Sequence, residues 1–278
     1  MDGITFYKMS GSGNDFVMLD GRLTTPVEWP AERVRAICDR RLGVGADGLV
    51  ILTPDGADRV RMDFWNCDGS RADMCGNAAL CSTRLATLLE LAPADRMRLV
   101  TRAGTFLTRC RPEGSEAELN LPDFRLPTRP GDLEAQPGES GHVLATVGVP
   151  HLVLEVIDLE SGDLMVRGRE LRRHPSLGPA GANVNFVAPS PDASRWLLRT
   201  FERGVEGETL ACGTGAVATA VALAQSGRAR LPLDLVTRSG CVLHITATLS
   251  DDEAKDVWLR GEGRLVFTGL LRDLPGAL

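Results

Sequence analysis

The sequence predicts an α+β protein made of two pseudo-symmetric domains, each a curved, mostly antiparallel sheet wrapped round a central helix. Three observations favour this class. Similar motifs recur at a separation close to half of the 278-residue chain. Short runs of β-forming residues are bounded by Gly, Pro and Asp, as strands are. Each half also carries one apolar helical stretch directly after a Cys-Gly pair.

The repeat consists of matches that keep the same order along both halves. The matched positions of the first and second copy are Leu99 with Leu235, Cys75 with Cys212, Gly13 with Gly148, and Phe64 with Phe201. These pairs are 136, 137, 135 and 137 residues apart in the chain. Composition bias alone would keep neither the order nor the offset. We therefore expect two copies of one unit of about 137 residues.

Each copy is predicted to contain a set of short strands and one helix. The strand runs of the first copy are DFVMLD, GLVILT, RVRMDFWN, MRLVTRAG and TFLTRC. Those of the second copy are HLVLEV, VNFVAP, WLLRTFE, LDLVTRSG and VLHITATL. The helical stretches NAALCSTRLATLLEL and TGAVATAVALAQSG are apolar on nearly every side. A helix of that kind must be surrounded, so each is predicted to be the centre of its own sheet.

The boundary between the copies is predicted where turn residues cluster, near 115–145. The final segment, GRLVFTGLLRDL, follows the second copy and has no counterpart before the boundary. We expect it to return to the first domain as an extra strand. The predicted domains are therefore 1–117 together with 264–278, and 118–263.

Composition and charge exclude several classes of protein. Hydrophobic content of 43% and charged content of 24% indicate a folded globular chain. The net charge of −6, with scattered arginines, argues against a nucleic-acid partner. No apolar run is long enough to span a bilayer, and the N-terminus lacks the features of a signal peptide, so no membrane partner and a cytoplasmic location are expected. Seven cysteines without zinc-like spacing predict reduced thiols and no metal.

The two Cys-Gly pairs, Cys75-Gly76 and Cys212-Gly213, stand where the central helices are predicted to begin. A helix N-terminus lowers the pKa of a thiol and offers N–H groups to a carboxylate. Two such sites facing each other across a pseudo-two-fold axis suit inversion of an α-carbon. One thiolate would remove the Cα proton, and the other thiol would return a proton to the opposite face. The remaining five cysteines are interpreted as core residues.

Pyridoxal phosphate is the common means of acidifying the Cα proton of an amino acid, and it needs a Schiff-base lysine. The chain has two lysines, Lys8 and Lys255. Lys255 lies in the acidic segment DDEAKD, and no phosphate-binding motif accompanies Lys8. The sequence therefore favours a reaction without a cofactor.

At these motifs the chain resembles the diaminopimelate epimerase family over its whole length. The segments that carry the resemblance are SGSGNDFV, NCDGSRADMCGN, PH at 150–151, NVNFV at 183–187 and RTFERGVEGETLACGTGA. The resemblance implies two pseudo-symmetric domains that close over the substrate. It also implies a cofactor-independent isomerase that converts LL- to meso-diaminopimelate, on the way to lysine and peptidoglycan.

The resemblance also implies roles for individual residues. Cys75 and Cys212 would be the acid/base thiols, with Cys212 the base toward the LL form. The residues beside them that support proton transfer would be His151 and Glu202, of which Glu202 would also touch substrate. The side chains that bind the substrate's polar ends would be Asn14, Asn66, Asn183 and Arg203. The backbone that binds its carboxylate would come from Gly76, Asn77, Gly213 and Thr214. A homodimer is implied through the C-terminal segment, where Phe267 holds the contact position.

Two departures from the family pattern leave the substrate open. Ala78 and Leu80 replace the glycine and arginine of the first cysteine motif, and Val149 replaces an asparagine before Pro150-His151. Related racemases of this fold act on proline, hydroxyproline or histidine, so another amino acid is an alternative substrate. Two other classes also stay open. They are a thiol redox protein that uses the two cysteines as a switchable disulfide, and a non-catalytic amino-acid-binding protein.

Overall fold

The structure is a computed structural model that describes residues 3–110, 114–160, 164–191 and 195–274. The chain divides into unit 1, Met1–Asn120 with Arg260–Leu278, and unit 2, Leu121–Leu259. The helices are α1 (Ala31–Cys38), α2 (Gly76–Leu88), α3 (Leu164–Arg172) and α4 (Gly213–Gln225).

The strands occupy most of the remaining chain. In order they are β1 (Ile4–Gly11), β2 (Asn14–Asp20), β3 (Gly48–Pro54), β4 (Arg59–Asn66), β5 (Arg71–Ala72), β6 (Met97–Thr101), β7 (Gly104–Cys110), β8 (Glu116–Leu121), β9 (Phe124–Arg125), β10 (Glu139–Val147), β11 (Val149–Val156), β12 (Asn183–Pro189), β13 (Trp196–Glu202), β14 (Gly207–Thr209), β15 (Leu233–Val236), β16 (Val242–Leu249), β17 (Glu253–Glu262) and β18 (Arg264–Leu271). The chain passes from unit 2 back to unit 1 within β17.

The two units have the same strand topology. In unit 1, β1–β2, β3–β4, β4–β5 and β6–β7 pair antiparallel, whereas β2–β3 and β4–β6 pair parallel. In unit 2 the antiparallel pairs are β10–β11, β12–β13, β13–β14 and β15–β16, and the parallel pairs are β11–β12 and β13–β15. The predicted class, two pseudo-symmetric and mostly antiparallel halves, is confirmed.

Each unit has a second helix that the sequence analysis did not predict. Parallel neighbours need a crossover connection, and in each unit one helix serves each parallel pair. Helices α1 and α3 make the first crossover, and α2 and α4 make the second. Helix α1 contributes Val34 and Ile37 to the core of unit 1, and α3 contributes Leu164 and Leu171 to that of unit 2. Both helices are short and strongly charged, which weakened their sequence signal.

Strand register corrects one match of the internal repeat. Phe16 pairs with Gly48, and His151 pairs with Asn183, so β2–β3 and β11–β12 are related by an offset of 135. Val60 pairs with Leu99, and Trp196 pairs with Leu235, so the next strands are related by 136. The expected match of Phe64 with Phe201 is therefore wrong by one residue. By strand register, Phe64 in the first copy is equivalent to Thr200 in the second, and Trp65 is equivalent to Phe201.

The helices after the Cys-Gly pairs are central, as predicted. In α4 every residue from Gly215 to Leu223 is buried, and in α2 burial runs without a break from Asn77 to Thr83. The second residue after each helix has a positive φ, 54° at Glu90 and 74° at Gly227. After each of these residues the next N–H bonds back to a carbonyl of the last helical turn, the usual helix-ending motif. These ends again lie 137 residues apart, so the repeat extends through both helices.

The last strand, β18, belongs to unit 1. It pairs antiparallel with β1 from Ile4 opposite Leu271 to Ser10 opposite Arg264. The pairing has one irregularity, between Lys8 and Met9. Most side chains of β18 are exposed, including four large apolar ones, Leu265, Val266, Phe267 and Leu270.

Candidate active site

Cys75 and Cys212 occupy equivalent places in the two units, one residue before a central helix. Both have extended backbone, with φ −142° and ψ 125° at Cys75 and φ −128° and ψ 108° at Cys212. The first N–H groups of each helix have no partner within the helix and carry the positive end of its dipole. This position favours a thiolate and an anionic ligand. Cys75 is partly exposed, whereas Cys212 is 7% exposed.

We call the first group half-site 1. It consists of Cys75, Gly76, Asn77 and Asn14. Asn77 donates from Nδ2 to Asn14 Oδ1 at 2.6 Å, and Asn14 donates to Asp47 Oδ2 at 3.0 Å. Strand β1 passes close to this turn of α2, because a Cβ on Gly11 would lie 2.8 Å from the Asn77 carbonyl oxygen. The two asparagines are therefore held as a connected pair beside the helix start.

An ion network supports half-site 1, with Lys8 buried and Arg40 exposed to solvent. Lys8 Nζ lies 2.6 Å from Asp15 Oδ2, and Arg40 bonds both Asp15 and Asp47. Burial raises the pKa of Asp15, but the hydrogen bonds and charges of Arg40 and Lys8 outweigh burial and lower it to about 2. Asp15 is thus ionised at neutral pH, and the Lys8 ammonium is engaged by it. Through Asp47 the network fixes the amide that Asn14 presents.

Asn66 ends β4 and lies in a turn. Its Nδ2 donates to Ser70 Oγ at 3.0 Å, and its side chain is exposed. The turn closes through Gly69, whose φ of 84° suits glycine. The structure therefore places Asn66 at the surface of unit 1, where its amide is engaged by a neighbouring hydroxyl.

We call the second group half-site 2. It consists of Cys212, Gly213, Thr214, His151 and Asn183. His151 is 0% exposed, and its Nε2 lies 3.0 Å from Thr214 Oγ1. The same hydroxyl lies 3.8 Å from Cys212 Sγ. Thr214 therefore connects the histidine to the thiol, whereas the sequence analysis assigned only its backbone to the site.

The other ring nitrogen of His151, Nδ1, lies near two side-chain amides. Asn183 Nδ2 lies 3.5 Å and Asn185 Nδ2 lies 3.3 Å from His151 Nδ1. Burial, with a smaller contribution from the charge of Arg203, lowers the pKa of His151 to about 3. The ring is therefore neutral at physiological pH.

Glu202 and Arg203 lie where β13 turns into β14. Burial raises the pKa of Glu202, and the neighbouring Thr209 side chain acts against this. The Arg203 backbone N–H donates to Asn183 Oδ1 at 2.7 Å, and its guanidinium forms no ion pair with any residue that the structure describes. An arginine without a carboxylate partner beside a helix N-terminus suits binding of a substrate carboxylate.

Asn185 and Thr200 are two residues of this site that the sequence analysis missed. Asn185 donates to His151 and to the Leu152 carbonyl, and it accepts from Thr200 Oγ1 at 3.0 Å. The segment NVNFV held a usable signal, since alternate residues of a strand point to one face. Asn183 and Asn185 therefore share a face of β12, yet only the first was selected.

The two departures from the family motif lie at different places. Leu80 is fully buried in α2, so this position packs in the core of unit 1. Val149 begins β11 and is equivalent in the repeat to Asn14 of half-site 1. Among the described residues, no group of three or more His, Cys, Asp or Glu side chains is arranged to hold a metal ion. No described helix is both long enough and apolar enough to cross a membrane.

Comparisons with known proteins point to one family. The diaminopimelate epimerase family model matches residues 6–123 and 143–266. The chain is 46% identical to a diaminopimelate epimerase of Gemmatimonas aurantiaca over 284 aligned residues, which cover 98% of this chain and 100% of that protein. It is 38% identical to a diaminopimelate epimerase of Aquifex aeolicus, with 96% and 98% covered.

Solved structures share the fold at low sequence identity. A phenazine biosynthesis protein of the PhzF family from Bacillus anthracis superposes with a TM-score of 0.73 at 13% identity, covering 98% of this chain and 100% of that one. A probable proline racemase from Agrobacterium radiobacter gives 0.67 at 17% identity, covering 99% and 94%. At these identities the likeness concerns the fold alone.

Proposed function

Because the chain belongs to the diaminopimelate epimerase family, as the family match and the curated relatives show, we propose that it converts LL- to meso-diaminopimelate. The resemblance inferred from the sequence is confirmed by these comparisons. The enzyme class, an isomerase acting as an epimerase, follows from the family. Inversion proceeds with two cysteine thiols and no cofactor.

The observation that carries this proposal is the repetition of one thiol position. Cys75 and Cys212 precede buried helices at the same point of two units with the same strand topology. Inversion requires one base and one acid on opposite faces of Cα, because a single base returns the proton to the face it left. A duplicated unit supplies two similar thiols, whereas a redox pair or a binding protein has no need of two helix N-termini.

The reaction balances with these two thiols alone. The Cys212 thiolate takes the Cα proton of the LL substrate and becomes a thiol. The electron pair left on Cα spreads into the substrate carboxylate, whose oxygens accept hydrogen bonds from backbone N–H groups at the helix starts. The Cys75 thiol gives its proton to the opposite face of Cα and becomes a thiolate. The reverse reaction starts from that state.

The remaining residues bind the substrate and support the thiols. Backbone groups of Gly76, Asn77, Gly213 and Thr214 bind the carboxylate at the reacting centre. The side chains that bind polar groups of the substrate are Asn14, Asn66, Asn183, Glu202 and Arg203. His151 and Glu202 also support proton transfer beside Cys212. His151 acts as a neutral hydrogen-bonding group, because burial keeps its ring uncharged.

We also place this enzyme in the cytoplasm as a homodimer that contacts its copy through β18. Four large apolar side chains of β18 are exposed, with Phe267 at 47% and Leu270 at 51%. An exposed strand with such side chains is prone to pair with another chain, so a second copy would cover it.

Deuterium incorporation tests the reaction. Incubation with LL-diaminopimelate in deuterium oxide should give the meso product with deuterium at the inverted Cα. A panel of proline, trans-4-hydroxyproline and histidine tests the alternative substrates. Exchange with diaminopimelate alone supports the proposal, exchange with another amino acid alone corrects the substrate, and no exchange with any of them removes the enzyme assignment.

Alanine variants test the roles of the thiols. Cys75→Ala and Cys212→Ala should each abolish inversion. The thiol that remains should still exchange the Cα proton on its own face, so Cys75→Ala should exchange deuterium into the LL form without inverting it. Cys81→Ala is the matched control, because this cysteine is fully buried in α2, and it should retain inversion. Inversion by either single variant would rule out the two-thiol mechanism.

A further inference from the structure

We propose that Thr214 and Asn185 are positioning residues for this reaction, an inference that rests on the proposed function. Together with His151 they turn a hydroxyl hydrogen toward Cys212 Sγ. This hydrogen bond favours the thiolate form of Cys212 in the resting enzyme.

The orientation of the Asn185 amide is fixed by its partners. Its Oδ1 accepts from Thr200 Oγ1 at 3.0 Å, and its Nδ2 donates to the Leu152 carbonyl at 3.1 Å. A reversed amide would place its oxygen against that carbonyl, where neither atom can donate. The second hydrogen of Nδ2 therefore points at His151 Nδ1, 3.3 Å away.

The amide in turn fixes the tautomer of the histidine. Because His151 Nδ1 accepts a hydrogen bond, the single ring proton of the neutral imidazole lies on Nε2. Nε2–H then donates to Thr214 Oγ1 at 3.0 Å. A hydroxyl that accepts from the ring has its own hydrogen available for the sulfur at 3.8 Å. A thiolate accepts that hydrogen bond better than a thiol does, so the hydrogen bonds from Asn185 through His151 and Thr214 favour ionised Cys212.

Charged residues near the hydrogen bonds from Asn185 to Cys212 have separate effects. Arg203 is the charged group that acts on the pKa of His151, after burial. Glu202 precedes it on β13, and burial raises the pKa of its carboxyl. Because the His151 ring is neutral, these residues give Cys212 a hydrogen bond and not a positive charge. Thr214 keeps its proton throughout, and the proton taken from Cα stays on Cys212.

Unit 1 holds apolar residues at three of the equivalent positions, whereas Asn77 stands in the place of Thr214. By strand register, Phe16 replaces the histidine, Val50 replaces the second amide, and Phe64 replaces the hydroxyl that anchors it. The rings of Phe16 and Phe64 meet edge to face at 5.9 Å. Unit 1 therefore has no counterpart of the buried histidine and the amide that orients it.

Alkylation of the resting enzyme tests the proposal at the thiols. The rate at which iodoacetamide modifies Cys212 and Cys75 is measured against pH by peptide mass spectrometry, without substrate. Thr214→Val should move the Cys212 midpoint upward by about one pH unit, the effect expected for loss of a hydrogen bond to a charged group. The Cys75 midpoint should not move.

Two variants distinguish the hydroxyl from packing. Thr214→Ser retains the hydroxyl and should restore the Cys212 midpoint. Thr219→Val removes a buried hydroxyl of the same helix that donates to the Gly215 carbonyl at 2.8 Å, and it should leave both midpoints unchanged. An unchanged Cys212 midpoint in Thr214→Val, or an equal shift at Cys75, would overturn the proposal.

Nitrogen NMR of the folded protein tests the tautomer independently. The chain has four histidines, so ring ¹⁵N signals can be assigned by substitution. His151 should carry its proton on Nε2, and Asn185→Asp, which places an acceptor opposite Nδ1, should move it to Nδ1. A proton on Nδ1 in the parent protein would refute the proposed series of hydrogen bonds. Neither measurement uses diaminopimelate, so failure here and failure of the deuterium assay are separate results.

Discussion

Replacing His151 by glutamine should make the protein less sensitive to acid. The ring is fully buried, and burial, aided by Arg203, lowers its pKa from 6.5 to about 3. Between these values the unfolded chain binds a proton that the folded chain does not, so stability falls as pH falls below 6.5. Each pH unit costs about 1.4 kcal/mol, which gives about 3 kcal/mol at pH 4.5 and about 4 kcal/mol near pH 3.

Urea unfolding between pH 7.5 and 4.5 measures this effect. Fluorescence reports on unit 2 through Trp196 and Trp258, and on unit 1 through Trp29 and Trp65. His151→Gln should be less stable at neutral pH, yet its free energy of unfolding should fall less steeply with acid, by about 1.4 kcal/mol per pH unit. Val184→Ala removes buried apolar volume from the same unit without removing a titratable group, so its curve should run parallel to that of the parent. A parallel curve for His151→Gln as well would refute the reasoning.

Three further outcomes are expected. Gly215→Ala should destabilise the protein by about 1–3 kcal/mol in urea unfolding and slow inversion, because its Cβ would overlap Asn185 Oδ1 and lie 3.2 Å from the cysteine sulfur. A stable and fully active variant would show that the amide can move. Arg203→Gln should lower kcat/KM at least tenfold if the guanidinium binds a carboxylate, and an unchanged value would remove it from the site. Phe267→Ala should shift the sedimenting species from dimer toward monomer, whereas an intact dimer would place the contact elsewhere.

The repeat was the part of the fold that the sequence predicted best. Matches such as Leu99 with Leu235 survive in the structure because both lie on strands that pair in the same way in each unit. The match of Phe64 with Phe201 was wrong because like residues were aligned. Register depends on which backbone groups pair, and here it favours Thr200 as the counterpart. Crossover helices α1 and α3 were missed because they are only eight and nine residues long, shorter than the window over which helical periodicity stands out.

The candidate site was predicted unevenly for a similar reason. Helix starts are local features, so Cys75 and Cys212 could be placed from the sequence. The residues behind His151 come from three different strands, and only the sheet register brings Asn185 and Thr200 against each other. A pattern of alternating asparagines showed that one face of β12 is polar. It could not show which buried ring that face meets.

The pairing of β1 with β18 has a consequence for synthesis on the ribosome. The first strand of unit 1 pairs early with β2 but waits for β18, its second partner, about 260 residues later, which at 5–20 residues per second is roughly 13 to 52 s. Unit 2 is continuous in sequence, from Leu121 to Leu259, and all of it is synthesised before β18. The sheet of unit 1 is therefore the later of the two to be completed. Until β18 emerges, β1 keeps one edge unpaired, and that edge is the part of the nascent chain that most needs protection by chaperones.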